Sequence, residues 1–258
     1  FLELDPDGFD HVVVAGARYR IPKGWESFRA RMKAEFPAEQ RGLDRYFDLV
    51  AAIVRELEAL PEKPSWRDLL AAPFRFPRLL RWQKATLGQL FDRLQLSPRV
   101  RIVLAGQAGD YLLSPAEVSL LLHATLVIAY GEGAYYPKHH YASLVGAVVD
   151  AIRKHPGCDV LLQHEVTRIE LDGNRVATVE TRQGARFRAE RVVSNMDPQA
   201  AVALIGPEKF TEPFLAEHAR YAYSRSGVTL YLGLKDLDLR DHGFGAYNVW
   251  SYPHDDLD

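Results

Sequence analysis

The sequence of 258 residues has little of several features that mark particular classes of protein. Its one cysteine, Cys158, excludes an intramolecular disulfide and a CxxC metal knuckle, and it fits a reducing cytosol. The net charge of −2 lacks the basic excess that nucleic-acid-binding domains usually carry. The longest strongly apolar run, residues 118–130, is shorter than the roughly 20 residues of a membrane-spanning helix, and no signal peptide is predicted. We therefore expect a cytoplasmic protein with no nucleic-acid partner.

Residue patterns for hydrolysis and for metal binding are also missing. Ser114 and Ser143 do not lie in a nucleophile elbow, so neither is predicted to be an activated serine. His139 and His140 are adjacent and have no spaced third ligand, so no metal site is predicted there. His123 lies within an apolar run, where a core histidine bonded to a neighbour is more common than a catalytic base. We therefore assign no catalytic acid or base.

Helices are predicted mainly in the first half of the chain. Apolar residues at helical spacing predict a long helix over residues 38–60, and Ser65 with Asp68 has the spacing of an N-terminal capping pair. The segment SPAE, residues 114–117, predicts the start of another helix that continues to Tyr130. This second helix is apolar on nearly all sides, so we expect it to be buried.

Strands are predicted near both ends of the chain and throughout its third quarter. β-Branched residues around a small-residue turn at residues 16–17 predict a hairpin over residues 11–21, and the Asp-Gly pair at 172–173 supplies a second hairpin turn. The Asp-Pro pair at 197–198 opens a further helix. The other predicted strands cover residues 159–163, 165–171, 175–181, 185–188, 191–194, 228–234 and 246–252. We expect strands from the two ends of the chain to meet in one sheet.

Residues 73–101 differ from the rest of the chain in charge. They hold seven cations and one acid, Asp92, interleaved with large apolar side chains. A basic helical stretch of this kind can make peripheral contact with an anionic bilayer, with its apolar face buried and its arginines on the headgroups. It can equally form a lid or a subdomain helix with one solvated face, and the sequence leaves both interpretations open.

Five segments, taken in order, carry the most specific signal in the chain. They are GDYLLSPAEVSLLLHA at residues 109–124, the YYP bend at 135–137, EVTRI at 165–169, VVSNMDP at 192–198 and SRSGVTLYLGL at 224–234. Each pattern alone is weak, because strand–turn–strand units are common, but their order and spacing are fairly specific. Together they resemble internal segments of the phytoene desaturase, carotenoid isomerase and retinol saturase family of flavoproteins.

The resemblance implies cofactor contacts at three residues. In this family the valine of the EVTRI-like strand, Val166 here, uses its backbone N–H and C=O to read the adenine edge of FAD. An extended strand end suits this task, because it offers a donor and an acceptor in fixed geometry. The VVSNMDP segment resembles the point where the chain passes beside the cofactor, and Ser194 and Asn195 are its polar residues.

Around the YYP bend we predict substrate contacts by Tyr136, His139 and His140. The family usually has two glycines after the bend, whereas this sequence has the two histidines. Paired glycines allow positive φ or a close approach of the backbone to a ligand. Either the bend is displaced, or the imidazoles fill space that a flavin or a substrate would otherwise use.

The pyrophosphate-binding part of an FAD site is missing from the sequence. No GxGxxG follows a predicted strand, and no acidic ribose partner follows at the usual distance. Without that glycine turn and the helix N-terminus behind it, nothing holds the pyrophosphate. We therefore expect an internal fragment of a longer enzyme, which by itself is inactive and binds FAD weakly or not at all.

The resemblance implies a mixed α/β fold. Part of a glutathione-reductase-type FAD/NAD(P)-binding domain, residues 131–206, would be flanked by a substrate domain in which helices pack on a mixed sheet. Residues 1–130 would form its mostly helical part with an N-terminal hairpin, and residues 207–258 would return to its sheet. The implied function is FAD-dependent desaturation, saturation or isomerisation of an apolar polyene of the carotenoid or retinoid type.

Two other functions stay open on sequence grounds. A non-catalytic prenyl- or lipid-binding module, like the Rab GDP-dissociation inhibitors, shares this kind of fold and needs no flavin. The absence of a GxGxxG motif is compatible with such a module. A relative of the amine oxidases would use a flavin with a smaller, polar substrate, and the basic-aromatic stretch from residue 73 argues against it.

Overall fold

The computed structural model describes residues 1–173, 175–223 and 226–255. Within these residues the helices are α1 (Trp25–Glu35), α2 (Gln40–Glu58), α3 (Trp66–Arg75), α4 (Pro77–Trp82), α5 (Leu87–Leu94), α6 (Pro98–Leu104), α7 (Leu120–Tyr130), α8 (Tyr141–Arg153), α9 (Pro198–Ile205) and α10 (Glu212–His218). The strands are β1 (Leu2–Glu3), β2 (Asp10–Val14), β3 (Ala17–Ile21), β4 (Tyr135–Tyr136), β5 (Val166–Asp172), β6 (Arg175–Thr181), β7 (Arg186–Phe187) and β8 (Asn248–Tyr252). The predicted mixed α/β class is confirmed.

Helix α2 is the centre of the first of two compact units, which comprises residues 1–141 and, at the end of the chain, residues from 226 onward. Apolar side chains recur every three or four residues along α2 and pack against α1, α4, α5 and α7. Burying each large apolar side chain stabilises the fold by about 1.5–3 kcal/mol. The fully buried ones are Leu43, Tyr46, Phe47, Val50 and Ile53. The long helix predicted in this region is confirmed.

The two ends of the chain meet in one sheet of the first unit. Strand β2 pairs antiparallel with β3 through a tight turn in which Ala15 and Gly16 have φ of 46° and 83°. Strand β8 pairs parallel with the other edge of β2, with His11 opposite Val249. The predicted hairpin is confirmed, although its turn lies one residue earlier than expected. The predicted meeting of the chain ends in one sheet is also confirmed.

The helix predicted from residue 114 begins later than expected. Ser114 Oγ donates to Glu117 Oε2 over 3.3 Å, but this contact closes only a single turn. Residues 118–120 then pair with residues 85–87 through backbone hydrogen bonds of 2.9 and 3.1 Å. This pairing takes backbone groups that a continuous helix would need, so α7 starts only at Leu120. The predicted start was wrong because a contact distant in sequence overrides the local capping pattern.

Helix α7 is buried on one side only. Leu120, His123, Ala124 and Val127 lie in the core, whereas Leu122 is 42% exposed. The helix is therefore only partly buried, and the expectation that it is a buried helix is wrong for its exposed side. In the ranges that the structure describes, no helix is both long enough and apolar enough to cross a membrane.

The large apolar side chains of the basic stretch at residues 73–101 mostly face the core. Phe76, Trp82, Leu87, Leu90 and Phe91 are all buried. The stretch is divided among the end of α3 and helices α4, α5 and α6, and it is not one amphipathic helix. Most of its apolar surface is therefore occupied by packing within the first unit.

The second compact unit covers residues 142–223. Its sheet has the order β5-β6-β7, and Gly173, with φ of 59°, makes the predicted turn between the first two strands. Helix α9 packs against β5, and the Asp197 carboxylate caps it by accepting from Ala200 N over 2.9 Å. The hairpin and the helix opened by Asp-Pro are confirmed. The predicted domain limits at residues 130 and 206 stay predictions.

Three predicted strands are absent from the described residues. Residues 159–163, 191–194 and 228–234 have no strand assignment there, and Val193 and Val228 are 96% and 99% exposed. A strand forms only where a neighbouring strand accepts its backbone hydrogen bonds. No described strand pairs with these segments, so β-branched sequence alone was insufficient. Residues 224–225, at the start of the last family-like segment, lie outside the described residues.

Candidate functional site

Strand β4 fixes the start of the bend at residues 135–141. It pairs antiparallel with β1, with Leu2 opposite Tyr136. Lys23 Nζ donates to Glu3 Oε1 over 2.7 Å and to the Tyr135 hydroxyl over 2.8 Å. These hydrogen bonds raise the pKa of Lys23, and those from Lys23 and Tyr135 lower the pKa of the Glu3 carboxyl. Backbone pairing and an ion pair therefore hold the first half of the bend.

His139 and His140 both adopt the left-handed backbone conformation, with φ of 68° and 75°. Residues other than glycine rarely adopt it, because Cβ approaches the following carbonyl oxygen. The backbone N–H of His140 donates to the carbonyl of Pro137 over 3.1 Å, which closes the turn. The bend thus has positive φ at the two positions where the family usually has glycines, although side chains occupy both of them.

Tyr136 lies in a group of aromatic rings at the bend. Its ring centroid is 5.0 Å from that of Tyr141 and 6.4 Å from that of His140, in edge-to-face geometry. Tyr136 is 38% exposed, and the side chains of His139, His140 and Tyr141 are exposed as well. The structure therefore brings the three predicted substrate residues onto one short exposed segment of the first unit. Their contact with a substrate stays a prediction.

Val166 begins the edge strand β5 of the second unit. The carbonyl of Glu165 accepts from the backbone N–H of Arg182 over 2.8 Å, so the backbone groups of Glu165 point toward β6. In an antiparallel pair, the N–H and C=O of successive residues point to alternate edges. The N–H and C=O of Val166 therefore point to the edge that no described strand covers, where a ligand could bind them.

Ser194 and Asn195 lie in an exposed loop before α9. The Ser194 hydroxyl accepts from Met196 N over 3.4 Å, and the neighbouring Asp197 is held by Ala200 N and by the Tyr223 hydroxyl at 2.7 Å. These two donors, that of Ala200 first, lower the pKa of Asp197. The loop is thus fixed at its exit, and the side chains of Ser194 and Asn195 face solvent. Their contact with FAD stays a prediction.

His123 lies buried between two tyrosines of the first unit. Its Nε2 is 2.7 Å from the Tyr46 hydroxyl, and its Nδ1 is 3.2 Å from the Tyr111 hydroxyl. Burial lowers the pKa of His123 to about 3 and raises the pKa of both tyrosines. All three groups are neutral near pH 7, which favours a structural role over proton transfer. The expectation that His123 is a core histidine bonded to neighbouring side chains is confirmed.

Asp10 is a buried carboxylate that no sequence motif singles out. Gln107 Nε2 donates to its Oδ2 over 2.5 Å, and Asn248 Nδ2 donates to its Oδ1 over 2.8 Å. The network joins β2, β8 and the segment after α6, so it ties together distant parts of the first unit. Asp10 and Asn248 are 238 positions apart, which is why sequence spacing gave no signal. In the described part of the chain, no group of three or more potential ligands is arranged to hold a metal ion.

Comparisons with known proteins identify the family. A family model described as flavin containing amine oxidoreductase matches residues 5–251. The chain is 25% identical to the all-trans-retinol 13,14-reductase of Danio rerio, covering 100% of this chain and 45% of that protein. It is 27% identical to the Rattus norvegicus protein of the same name, over 68% of this chain and 31% of that protein. The chain thus spans less than half the length of these curated relatives.

A solved structure supports the fold. A Pyrococcus furiosus protein of known crystal structure aligns with a TM-score of 0.50 and 16% sequence identity, covering 86% of this chain and 46% of that one. At this identity the likeness concerns the fold alone. The family match over residues 5–251 extends across both compact units. The chain therefore belongs to the family of flavin containing amine oxidoreductases.

Proposed function

We propose that the protein is an FAD-dependent oxidoreductase that acts on an apolar, retinoid-like polyene. The observation that carries the proposal is the similarity to an all-trans-retinol 13,14-reductase along the whole chain, within a family of flavin-containing proteins. Because the chain spans less than half of that relative, the activity is proposed for a longer protein of which these residues form one part.

The described residues fit one portion of an FAD site. The backbone N–H and C=O of Val166 at the open edge of β5 can bind the adenine edge, which offers both an acceptor and a donor. Ser194 and Asn195 supply further polar groups in the same unit. The sequence offers no glycine turn for the pyrophosphate, so that group would be held by residues outside the chain. Bound FAD would supply the redox chemistry.

On the substrate side, the bend at residues 135–141 is the candidate contact surface. Tyr136 and His140 present aromatic rings, which pack well against a flat conjugated hydrocarbon. The buried His123 lies between the hydroxyls of Tyr46 and Tyr111 and is neutral, so we assign it no part in the chemistry. The protein would mainly orient the polyene and exclude water.

Two other functions compete with this proposal, and the experiment below distinguishes them from it. A non-catalytic prenyl- or lipid-binding module is disfavoured, because the curated relatives are named as reductases and the family as flavin-containing. Oxidation of an amine is what the family description names, so amines belong among the test substrates. A cytoplasmic location, consistent with the single cysteine, and peripheral membrane contact are also part of the proposal.

The first experiment is the visible absorption spectrum of the longest native reading frame that contains this sequence, purified with and without added FAD. We expect flavin bands near equimolar occupancy, followed by flavin-dependent turnover of all-trans-retinol or another polyene. A colourless protein that ignores FAD would refute the oxidoreductase proposal and favour the binding module. A flavoprotein that oxidises amines and leaves polyenes unchanged would refute the substrate class.

A variant of Val166 tests the cofactor contact. Val166→Pro removes the backbone N–H, and the sheet tolerates this change because that N–H points away from β6. Loss of one neutral hydrogen bond weakens FAD binding by roughly fivefold. Val166→Ala keeps the N–H and is the matched control, for which we expect no change. Equal FAD affinity of the two variants would exclude the proposed contact.

A further inference from the structure

Helix α3 carries an exposed apolar face, although it belongs to the well-packed first unit. None of its residues is buried. Four large apolar side chains, 66–88% exposed, recur at intervals of one, three and four residues: Trp66, Leu69, Leu70 and Phe74. At 100° per residue they fall within about 140° of the helix circumference, so they share one face. Core helices of the same unit, such as α2, turn the equivalent face inward.

The helix has a well-defined start, so this face is not a frayed terminus. Ser65 and Asp68 form a capping box, in which Asp68 Oδ2 accepts from Ser65 N over 2.9 Å and Ser65 Oγ accepts from Asp68 N over 3.3 Å. Arg75 donates to Asp68 over 3.1 Å. The next helix, α4, is anchored because Glu56 of α2 accepts from the backbone N–H groups of Arg78 and Leu79. The start of α3 is therefore capped, and the helix that follows it is anchored to α2.

Cations outnumber acids in and around α3, and one of them borders the apolar face. Asp68 is the one acid among residues 63–84, and its carboxylate accepts hydrogen bonds from Ser65 N and from Arg75. The Arg67 guanidinium lies 5.3 Å from the ring centroid of Trp66, at the border of the face. The six cations of this segment are Lys63, Arg67, Arg75, Arg78, Arg81 and Lys84. A helix with tryptophan, phenylalanine and leucine on one face and a basic border is suited to the interface of an anionic bilayer.

We propose that the exposed face of α3 docks the protein on an anionic lipid surface, with Trp66, Leu70 and Phe74 inserted among the acyl chains. A second copy of the chain is disfavoured as the occupant, because a two-fold contact would place two basic borders against each other. The proposal does not depend on flavin binding. Of the large apolar side chains in residues 73–101 it uses only Phe74, because most of the others are buried.

The test is co-sedimentation of the full chain, and of the longest native reading frame, with two kinds of lipid vesicle. One kind contains phosphatidylcholine alone, and the other also contains phosphatidylserine. We expect binding to the second kind, weakened by high salt. In the triple variant Trp66→Ser, Leu70→Gln, Phe74→Ser we expect binding to fall by at least about tenfold. Arg67→Gln is expected to weaken anionic binding roughly fivefold and to leave binding to neutral vesicles unchanged.

The matched control changes exposed apolar residues of the second unit in the same way: Leu162→Gln, Val193→Ser and Tyr221→Ser. It is expected to bind like the wild type, and thermal unfolding checks that both triple variants remain folded. The proposal is overturned if the wild type ignores anionic vesicles, or if the two triple variants bind equally well. It is also overturned if the α3 variant only dissolves a dimer, or if the longer protein fails to bind where this chain does.

Discussion

Acidification is expected to destabilise the first unit through His123. This side chain is buried between the hydroxyls of Tyr46 and Tyr111, where it is neutral. Burial lowers its pKa from 6.5 to about 3, because the charged imidazolium would lose its hydration. In the unfolded chain the same imidazole is in water and takes up a proton near its ordinary pKa. Folding therefore excludes a proton that the unfolded chain binds at mildly acidic pH.

The size of the effect follows from this difference in proton binding. A depressed native pKa contributes stability that is present above pH 6.5 and is lost progressively as the pH falls toward the native value of about 3. Each pH unit inside that window costs about 1.4 kcal/mol of unfolding free energy. Between pH 7 and pH 5 the expected loss from His123 alone is about 2 kcal/mol.

The assay is urea unfolding at pH 7 and at pH 5, monitored by tryptophan fluorescence. Trp25 and Trp82 lie in the first unit and report on its core. His123→Gln keeps a polar side chain that does not titrate, so it lowers stability at both pH values but removes the pH dependence due to the imidazole. His155→Gln, at an exposed position, is the control and is expected to retain the wild-type pH dependence.

Two results would each refute this reasoning. If wild type and His123→Gln lose the same unfolding free energy between pH 7 and pH 5, the imidazole does not carry the predicted linkage. A loss confined to pH values below 4, where carboxylates titrate, would lead to the same conclusion.

Three further predictions concern stability and are measured by the same unfolding assay at pH 7. His139→Gly is expected to stabilise the chain by about 0.5–1 kcal/mol, because glycine relieves the positive φ, whereas His139→Ala gives no gain. Asp10→Ala is expected to cost about 1–3 kcal/mol, because the amide groups of Gln107 and Asn248 lose a charged acceptor; an unchanged midpoint would contradict this. Gly106→Ala is expected to cost about 1–3 kcal/mol, since a Cβ there would lie 2.4 Å from Val12 Cγ2. An unchanged unfolding free energy would show that the neighbouring side chains move to make room for the methyl group.

The candidate site was predictable only in part. The bend at residues 135–141 was found from its aromatic residues and from two histidines at positions where the family usually has glycine. The structure adds that both histidines have positive φ. The orientation of the Val166 backbone could be seen only from the register of β5 against β6. The partners of His123 could not be predicted, because Tyr46 is 77 positions away and contacts it only after α2 and α7 pack.

The sequence by itself determined features whose physical causes lie within a few residues. The Ser65–Asp68 capping box, the Asp197 cap, the Asp-Gly turn at residues 172–173 and the amphipathic helix α2 all formed as predicted. In each case a side chain satisfies a backbone group nearby, or apolar residues recur with the period of a helix.

Only the tertiary structure decided which backbone groups find partners far away in the chain. Pairing of residues 118–120 with 85–87 moved the start of α7 to Leu120. Residues 191–194 and 228–234, which include β-branched side chains, have no strand assignment, because no described strand pairs with them. Burial was decided in the same way, since α2 and α3 are both amphipathic but only α2 has its apolar face covered. A strand or a buried face needs a second surface, and its position depends on the packing of the whole chain.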